Sequence, residues 1–308
     1  MKKQMIHAAL AAVALLSYSC AFDDNEIVYD YTSALFPYQD YNRNIMVGEG
    51  LSLNVGITLA GVLDNKKDRV IQYIIDPSLI TESDKSILPS SYYKCENTSQ
   101  MVIPKNSLKG YMHVGLDSAL FLGDEKSLTG EYVLPIRLVS SSDVDSISPD
   151  LGFIRISISY YARQHGYYTY SGTIVKTKGG NVTTAAYSNQ SSVTDSRRFL
   201  NTAGPDRFRV EADATNGADP ANGAYTFLLD VPVSGGGNVA ISPDPDSPVK
   251  VYPDGVSAYD VASKTFTLNY TYTATDGTVC DVSESLVFRN RIRDVQSNGL
   301  YINEWRGF

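Results

Sequence analysis

Between Lys264 and Asn290 apolar and polar residues alternate on both sides of a turn signal, and no other pattern in the chain restricts the fold as much. Phe266, Leu268, Tyr270, Tyr272 and Ala274 alternate before Asp276-Gly277, and Cys280, Val282, Leu286 and Phe288 alternate after it. A period of two marks a strand with one buried side. A two-residue Asp276-Gly277 loop would pair Tyr272 with Asp281 and set the two apolar rows on opposite faces. Register follows the buried face. The pattern therefore predicts an odd-length loop with Gly277 left-handed, pairing Ala274 with Cys280, Tyr272 with Val282, Leu268 with Leu286 and Phe266 with Phe288. Glu284 then falls opposite Tyr270 on the apolar side. A carboxylate there needs a partner, and Arg289, Arg291 and Arg293 are the nearby cations for a structural ion pair.

The rest of the chain reads the same way. Leu51 to Ile57 alternates cleanly, Val70 to Ile75 is a β-branched run fit for an inner strand, and Tyr111–Leu116, Tyr132–Val139 and Phe153–Ser159 complete a first set. Pro135 removes a ladder donor, which predicts an edge or a bulge at that point. Short strands at this spacing predict an immunoglobulin-like β-sandwich over residues 31–162. The pattern breaks at Tyr161-Ala-Arg-Gln-His-Gly166. A second β system follows over 163–308, with strands expected at 167–176, 185–189, 207–212, 225–231, 239–242 and 249–252. Loops 215–223 and 242–248 are rich in Gly, Asn, Asp and Pro, and are expected to be exposed. Long helical periodicity is absent, so the fold class is all-β.

The first residues speak of location. Lys2 and Lys3 precede an apolar run, Ala8–Leu16, too short to span a bilayer, and Leu16-Ser-Tyr-Ser-Cys20 closes it. This reads as a lipoprotein signal over 1–19, with Cys20 as the acylated residue and 20–30 as a lipidated tether. An acidic patch, Asp23-Asp24-Asn25-Glu26, follows. It resembles the signal that places Bacteroidetes lipoproteins on the outer face of the outer membrane. Several acyl chains on one residue anchor a protein without a transmembrane helix.

Composition then excludes much chemistry. The sequence holds 26 basic and 34 acidic residues, and residues 1–19 carry two lysines and no acid, so the exported chain has ten more acids than bases. That sign disfavours nucleic acid. Cys95 and Cys280 are the remaining thiols, expected as buried and free, and His113 and His165 lack metal-ligand spacing. Asp213, Asn216 and Asp219, or Asp244 and Asp246, could offer oxygens to calcium, but neither loop completes a twelve-residue calcium loop with its terminal Glu. Solvated turns explain them. No metal or cofactor is expected. No Gly-x-Ser-x-Gly elbow occurs, and the second half is too short and too free of helical pattern for a glycosidase barrel. An enzyme is not expected.

Three segments, Leu88–Tyr93, Ile103–Gly110 and Glu131–Ser140, resemble the N-terminal domain of unknown function of Bacteroidetes surface lipoproteins, which also precedes some family-eighteen endoglycosidases. Tyr167–Thr173, the Phe266–Phe288 hairpin and Gly299–Arg306 resemble the lipocalin-like domain that often follows it. The resemblance implies a sandwich followed by a small antiparallel lipocalin-like barrel, in a protein that captures or processes polysaccharide at the cell surface. Sugar recognition needs aromatic faces beside amide, carboxylate and hydroxyl groups. Tyr187 beside Asn189 and Gln190, Tyr252 and Tyr259 around Pro253-Asp-Gly255, and Trp305 are the candidates. The alternative is an adaptor that docks to an outer-membrane transporter or partner lipoprotein.

Overall fold

The structure, a computed structural model, describes residues 31–189, 198–212, 225–294 and 302–305. The export signal, Cys20 and the tether lie outside the described residues.

The first half holds β1 (Ser33–Leu35), β2 (Asp40–Met46), β3 (Ser52–Ala60), β4 (Arg69–Ile75), β5 (Ser86–Ile87) and β6 (Tyr93–Cys95). It continues through β7 (Gln100–Ile103), β8 (Lys109–Leu116), β9 (Tyr132–Ser140), β10 (Ser146–Ile147) and β11 (Phe153–Tyr161). These form two sheets, ordered β10-β1-β3-β8-β6 and β2-β11-β9-β4-β7, with β5 also beside β9. Alternation sorts the faces. Leu53, Val55, Ile57 and Leu59 of β3 share a core with Met112 and Val114 of β8, and with Ile154, Ile156 and Ile158 of β11. Two inner faces around one core make this half an immunoglobulin-like sandwich. Two short helices, α1 (Ser118–Leu122) and α2 (Lys126–Thr129), join β8 to β9. The Asp117 side chain accepts from Leu120 N to start α1, which drops Phe121 into the core beside Tyr160.

Pro135 sits in an interior strand, not at an edge, and the β4–β9 register shift lies at Gln72/Tyr73 instead. The reason is local. Asp76 N donates to Pro135 O just past the last β4 pair, Ile75 with Ile136, whereas β5 takes up pairing again at Val133. The proline nitrogen therefore faces a seam between β4 and β5, where no ladder donor is needed.

The second half holds β12 (Gly166–Lys178), β13 (Asn181–Asn189), β14 (Arg198–Thr202), β15 (Arg207–Glu211), β16 (Thr226–Asp230) and β17 (Gly237–Pro243). After these come β18 (Val251–Pro253), β19 (Ser257–Asp260), β20 (Thr265–Thr273), β21 (Val279–Arg293) and β22 (Ile302–Trp305). The path β12-β14-β15-β16-β17-β19-β20-β21 closes when β21 pairs back onto β12 from Thr177 with Val279 to Tyr167 with Asn290. The result is an antiparallel barrel of the up-and-down kind. β13 pairs with β12 over Tyr170–Lys178, on the edge that β14 takes at Gly166–Tyr168, and its residues are mostly exposed.

The β20–β21 hairpin keeps the expected faces but not the expected pairs. Gly277 has φ of 82° and closes a loop in which Ala274 N donates to Thr278 O, so Tyr272 pairs with Cys280, Tyr270 with Val282, and Leu268 with Glu284. The whole register is displaced by two residues. A shift of two preserves which side each residue faces, so burial alone could not separate the two registers; the three-residue turn does. Loop 242–248 also departs from expectation, because Asp244 and Ser247 are buried.

Buried apolar residues form two clusters, one from Ala34 to Tyr160 and one from Ala162 to Phe288. Ion pairs join the halves. Asp294 binds Arg43 at 2.6 Å and accepts from Asn44 N at 2.8 Å, while Glu49 binds Arg293 at 2.9 Å, which also holds Glu304.

Candidate functional site

Large side chains fill the barrel interior among the described residues. Tyr168, Phe208, Phe227, Phe266, Tyr270 and Tyr272 are all under 2% exposed, and their rings meet neighbours such as Phe288 at 5.5 Å and Tyr225 at 5.6 Å. Small barrels either pack their interior or hold a ligand there, and the described residues of this one are packed.

One charged cluster lies within that packing. Glu284 Oε1 accepts from Tyr270 Oη at 2.8 Å and from Arg198 Nη2 at 3.1 Å, and Oε2 accepts from Tyr187 Oη at 2.9 Å. Arg198 also donates to the carbonyls of Ala212 and Glu211. The partner of Glu284 is thus Arg198, not Arg289, Arg291 or Arg293. The displaced register and the closure of β12 against β14 bring Arg198 across the barrel wall, a contact between residues 86 positions apart.

The sequence candidates do not converge. Tyr187 is half-buried with its hydroxyl committed to Glu284, and Asn189 ends the same strand opposite Tyr170. Tyr252 is 52% exposed on β18. The Tyr259 ring is buried, 4.2 Å from Phe266. Trp305 pairs its backbone with Asn290 in β22, and its side chain, like Gln190, Asp213, Asn216 and Asp219, lies outside the described residues.

Asp244 and Asp246 are engaged by cations of the protein itself. Arg209 Nε lies 2.6 Å from Asp244 Oδ2 and Arg209 Nη2 lies 2.7 Å from Asp246 Oδ2. The Lys250 ammonium donates to the carbonyls of Asp244, Pro245 and Ser247 at 2.8–2.9 Å. Burial would raise the Asp244 pKa, but the Thr226 hydroxyl, the Asp246 amide and Arg209 outweigh it and hold the carboxyl below its ordinary value. The carbonyl oxygens a metal ion would need here are turned onto an ammonium.

An open site lies on the sandwich instead. On the outer face of β3 and β8, Ser52 pairs with Gly115, Asn54 with His113 and Gly56 with Tyr111, while β6 sets Lys94 opposite Gly115. Tyr111 is 61% exposed. A Cβ at Gly56 would meet its ring at 3.1 Å, so the glycine leaves room for the ring to lie across the sheet. Nothing stands within 4 Å of where a Gly115 Cβ would be, and Lys94, Glu96 and His113 surround this gap in a depression of about 370 Å³. That volume falls within the roughly 300–1,000 Å³ typical of small-ligand sites. His113 Nδ1 lies 3.1 Å from Asn54 Oδ1. The carbonyl can only accept, so Nδ1 carries a proton and Nε2 is left facing solvent. The face thus combines an aromatic plane, a carboxylate, an ammonium, an amide and an imidazole. Alternation in Tyr111–Leu116 marks the strand, and its solvent-facing row is Tyr111, His113 and Gly115; that row was the available signal.

Residues 23–145 match the model of a family described as a "-like, N-terminal domain", which covers less than half of the chain. No curated protein matches the chain. A Bacteroides ovatus protein of unknown function has a similar structure, with 20% identity, a TM-score of 0.70, and coverage of 90% of this chain and 98% of that one. A second Bacteroides ovatus protein of unknown function shows 15% identity, a TM-score of 0.49, and coverage of 86% and 96%. A Bacteroides thetaiotaomicron protein described as an auxiliary nutrient binding protein shows 14% identity, a TM-score of 0.45, and coverage of 82% and 92%. The first of these shows that the two-part all-β fold extends over nearly the whole of both chains.

Proposed function

We propose that this protein is an outer-membrane lipoprotein, anchored through Cys20 and facing the cell exterior, that binds oligosaccharide without turning it over. The observation that carries the reading is the outer face of the sandwich: the exposed Tyr111 ring set against Gly56, beside a Gly115-floored depression ringed by Lys94, Glu96 and His113. Sugars stack their C–H faces on aromatic planes and exchange hydrogen bonds with carboxylates, amides and ammonium groups. The lipoprotein signal and the resemblance to glycan-associated surface lipoproteins with a lipocalin-like second domain support the same reading. The filled barrel then serves as a rigid support rather than a ligand cup.

The adaptor reading draws on β13, whose nine residues pair along β12 and are mostly exposed. Exposed strand edges pair readily with other chains. A glycan array with the whole chain in detergent, beside a pull-down of transporter components, separates the two. Binding that is lost in Tyr111→Ala, with the melting temperature kept, supports glycan capture. Transporter capture with no glycan bound at all refutes it. Anchoring is tested by Cys20→Ala, which should move the protein from the detergent phase to the aqueous phase.

A further inference from the structure

The open face continues past β3. β1 pairs with β3 only at Thr58–Ala60, so along Ser52–Gly56 the outer edge of β3 has no neighbouring strand among the described residues. Beside that gap Tyr38, Tyr41 and Arg43 line a slot of about 270 Å³, backed by Leu53, Val55 and Ile156 from both sheets. Tyr38 is 49% exposed, and its ring lies 6.5 Å from that of Tyr41. Asn54 belongs to both places. It lines the slot, and its Oδ1 holds His113 Nδ1 on the face.

From the slot to β6 the molecule therefore carries one strip: Tyr38 and Tyr41, then Asn54 and Gly56, then Tyr111 and His113, then Lys94 and Glu96. We infer that the strip takes an extended glycan chain laid across the strands, rather than a single terminal sugar; this rests on the glycan-binding reading above. Neighbouring strands lie about 4.8 Å apart, a spacing comparable with the advance of one sugar ring along an extended chain. Strands β6, β8 and β3 with the slot beyond them thus offer a run of adjacent ring positions. The aromatic rings sit apart along the strip, with Tyr111 on the face and Tyr38 at the slot, which suits stacking of non-adjacent rings of one chain. Charge points to the class of sugar. Arg43 is bound to Asp294 at 2.6 Å and acts as slot wall, and Lys94 and Glu96 at the far end are of opposite sign. A neutral chain fits this balance.

Subsites joined by one ligand add through effective concentration, so affinity should depend on chain length. The test is calorimetric titration of the whole chain in detergent with gluco-, manno- and xylo-oligosaccharides, from monosaccharide to hexasaccharide. Affinity for the matching series should climb by about tenfold or more up to the tetrasaccharide and then level off. Tyr111→Ala should lower every member of the series, whereas Tyr38→Ala should remove the gain with length and leave the shortest ligands unchanged. Circular dichroism melts of both variants should match the parent chain, since both side chains are exposed. Affinity independent of length, or a Tyr38→Ala series identical to the parent, overturns the extended-chain inference while leaving glycan binding intact. Absence of binding across all series overturns both.

Discussion

His165 should make this protein lose stability in mild acid, and the size of the loss follows from its surroundings. The ring is 5% exposed, stacked on Tyr161 at 3.8 Å and 8°, with Phe199 edge-on at 5.1 Å. Its Nδ1 accepts from Thr202 N at 3.3 Å, which leaves the proton on Nε2. Burial, and secondarily the charge of Arg291, push its pKa down from 6.5 to about 3. Unfolded, the same imidazole takes a proton below about 6.5. Between these values the unfolded chain binds a proton that the native one refuses, so stability falls as pH falls. The contribution is complete above pH 6.5 and drains away toward pH 3. At pH 5 the loss amounts to about 2 kcal/mol, and at pH 3 to about 4 kcal/mol, from 1.36 kcal/mol per pKa unit. Urea unfolding of the parent chain and of His165→Asn, each at pH 8 and pH 5, isolates this group. Asn retains an acceptor for Thr202 but cannot take a proton, and titrating carboxylates cancel in the double difference. The parent should lose about 2 kcal/mol more than the variant between the two pH values. Equal losses at unchanged m-value would refute the assignment of a neutral buried imidazole.

Three further outcomes follow from named contacts. Glu284→Ala strands the Arg198 guanidinium in the barrel wall and should cost about 3–5 kcal/mol by urea unfolding; a loss under about 1 kcal/mol would mean that the pair is not buried as described. Lys250→Met removes the ammonium that gathers three loop carbonyls and should lower stability by about 1–2 kcal/mol, whereas added calcium should leave the melting temperature of the parent chain unchanged, and a clear rise would show that the Asp244 loop takes the ion. Gly56→Val should displace the Tyr111 ring, weakening glycan binding about tenfold with little change in melting temperature; unaltered affinity would show that this ring is not a stacking surface.

Period-two alternation made most of the strands legible, because a strand with one wet side writes its burial directly into sequence. Leu51–Ile57 and Phe266–Ala274 are such strands, and both were placed with the right residues inward. Relations between strands were less legible. The hairpin register failed by two residues because burial is blind to even shifts, and only the turn geometry at Gly277 decides it. Pro135 misled for a related reason: which neighbour a backbone nitrogen faces depends on where β4 stops and β5 starts, and that is set by residues some fifty positions away. The partner of Glu284 was invisible for the same cause. Arg198 reaches it only because the barrel closes, whereas the sequence offers the arginines that happen to be adjacent.

The binding face was harder still to read, because what makes it a site is an absence of side chains. Gly56 and Gly115 are ordinary strand glycines in sequence, where they count against strand formation. On the sheet one makes room for the Tyr111 ring and the other opens a depression between Lys94, Glu96 and His113. The tyrosines that looked most like ligand contacts, Tyr187 and Tyr259, sit on the barrel, where curvature turns rings inward and finds each a partner in Glu284 or Phe266. The barrel spends most of its described aromatic residues on its own core, with Tyr252 left exposed on β18. An open sandwich sheet cannot, because its outer face has nothing to pack against, and an aromatic residue there stays exposed unless something binds it. Exposure of Tyr111 at 61% and Tyr38 at 49% beside one another's neighbours, with Asn54 between them, is therefore the observation that shifts the candidate site from the barrel to the sandwich.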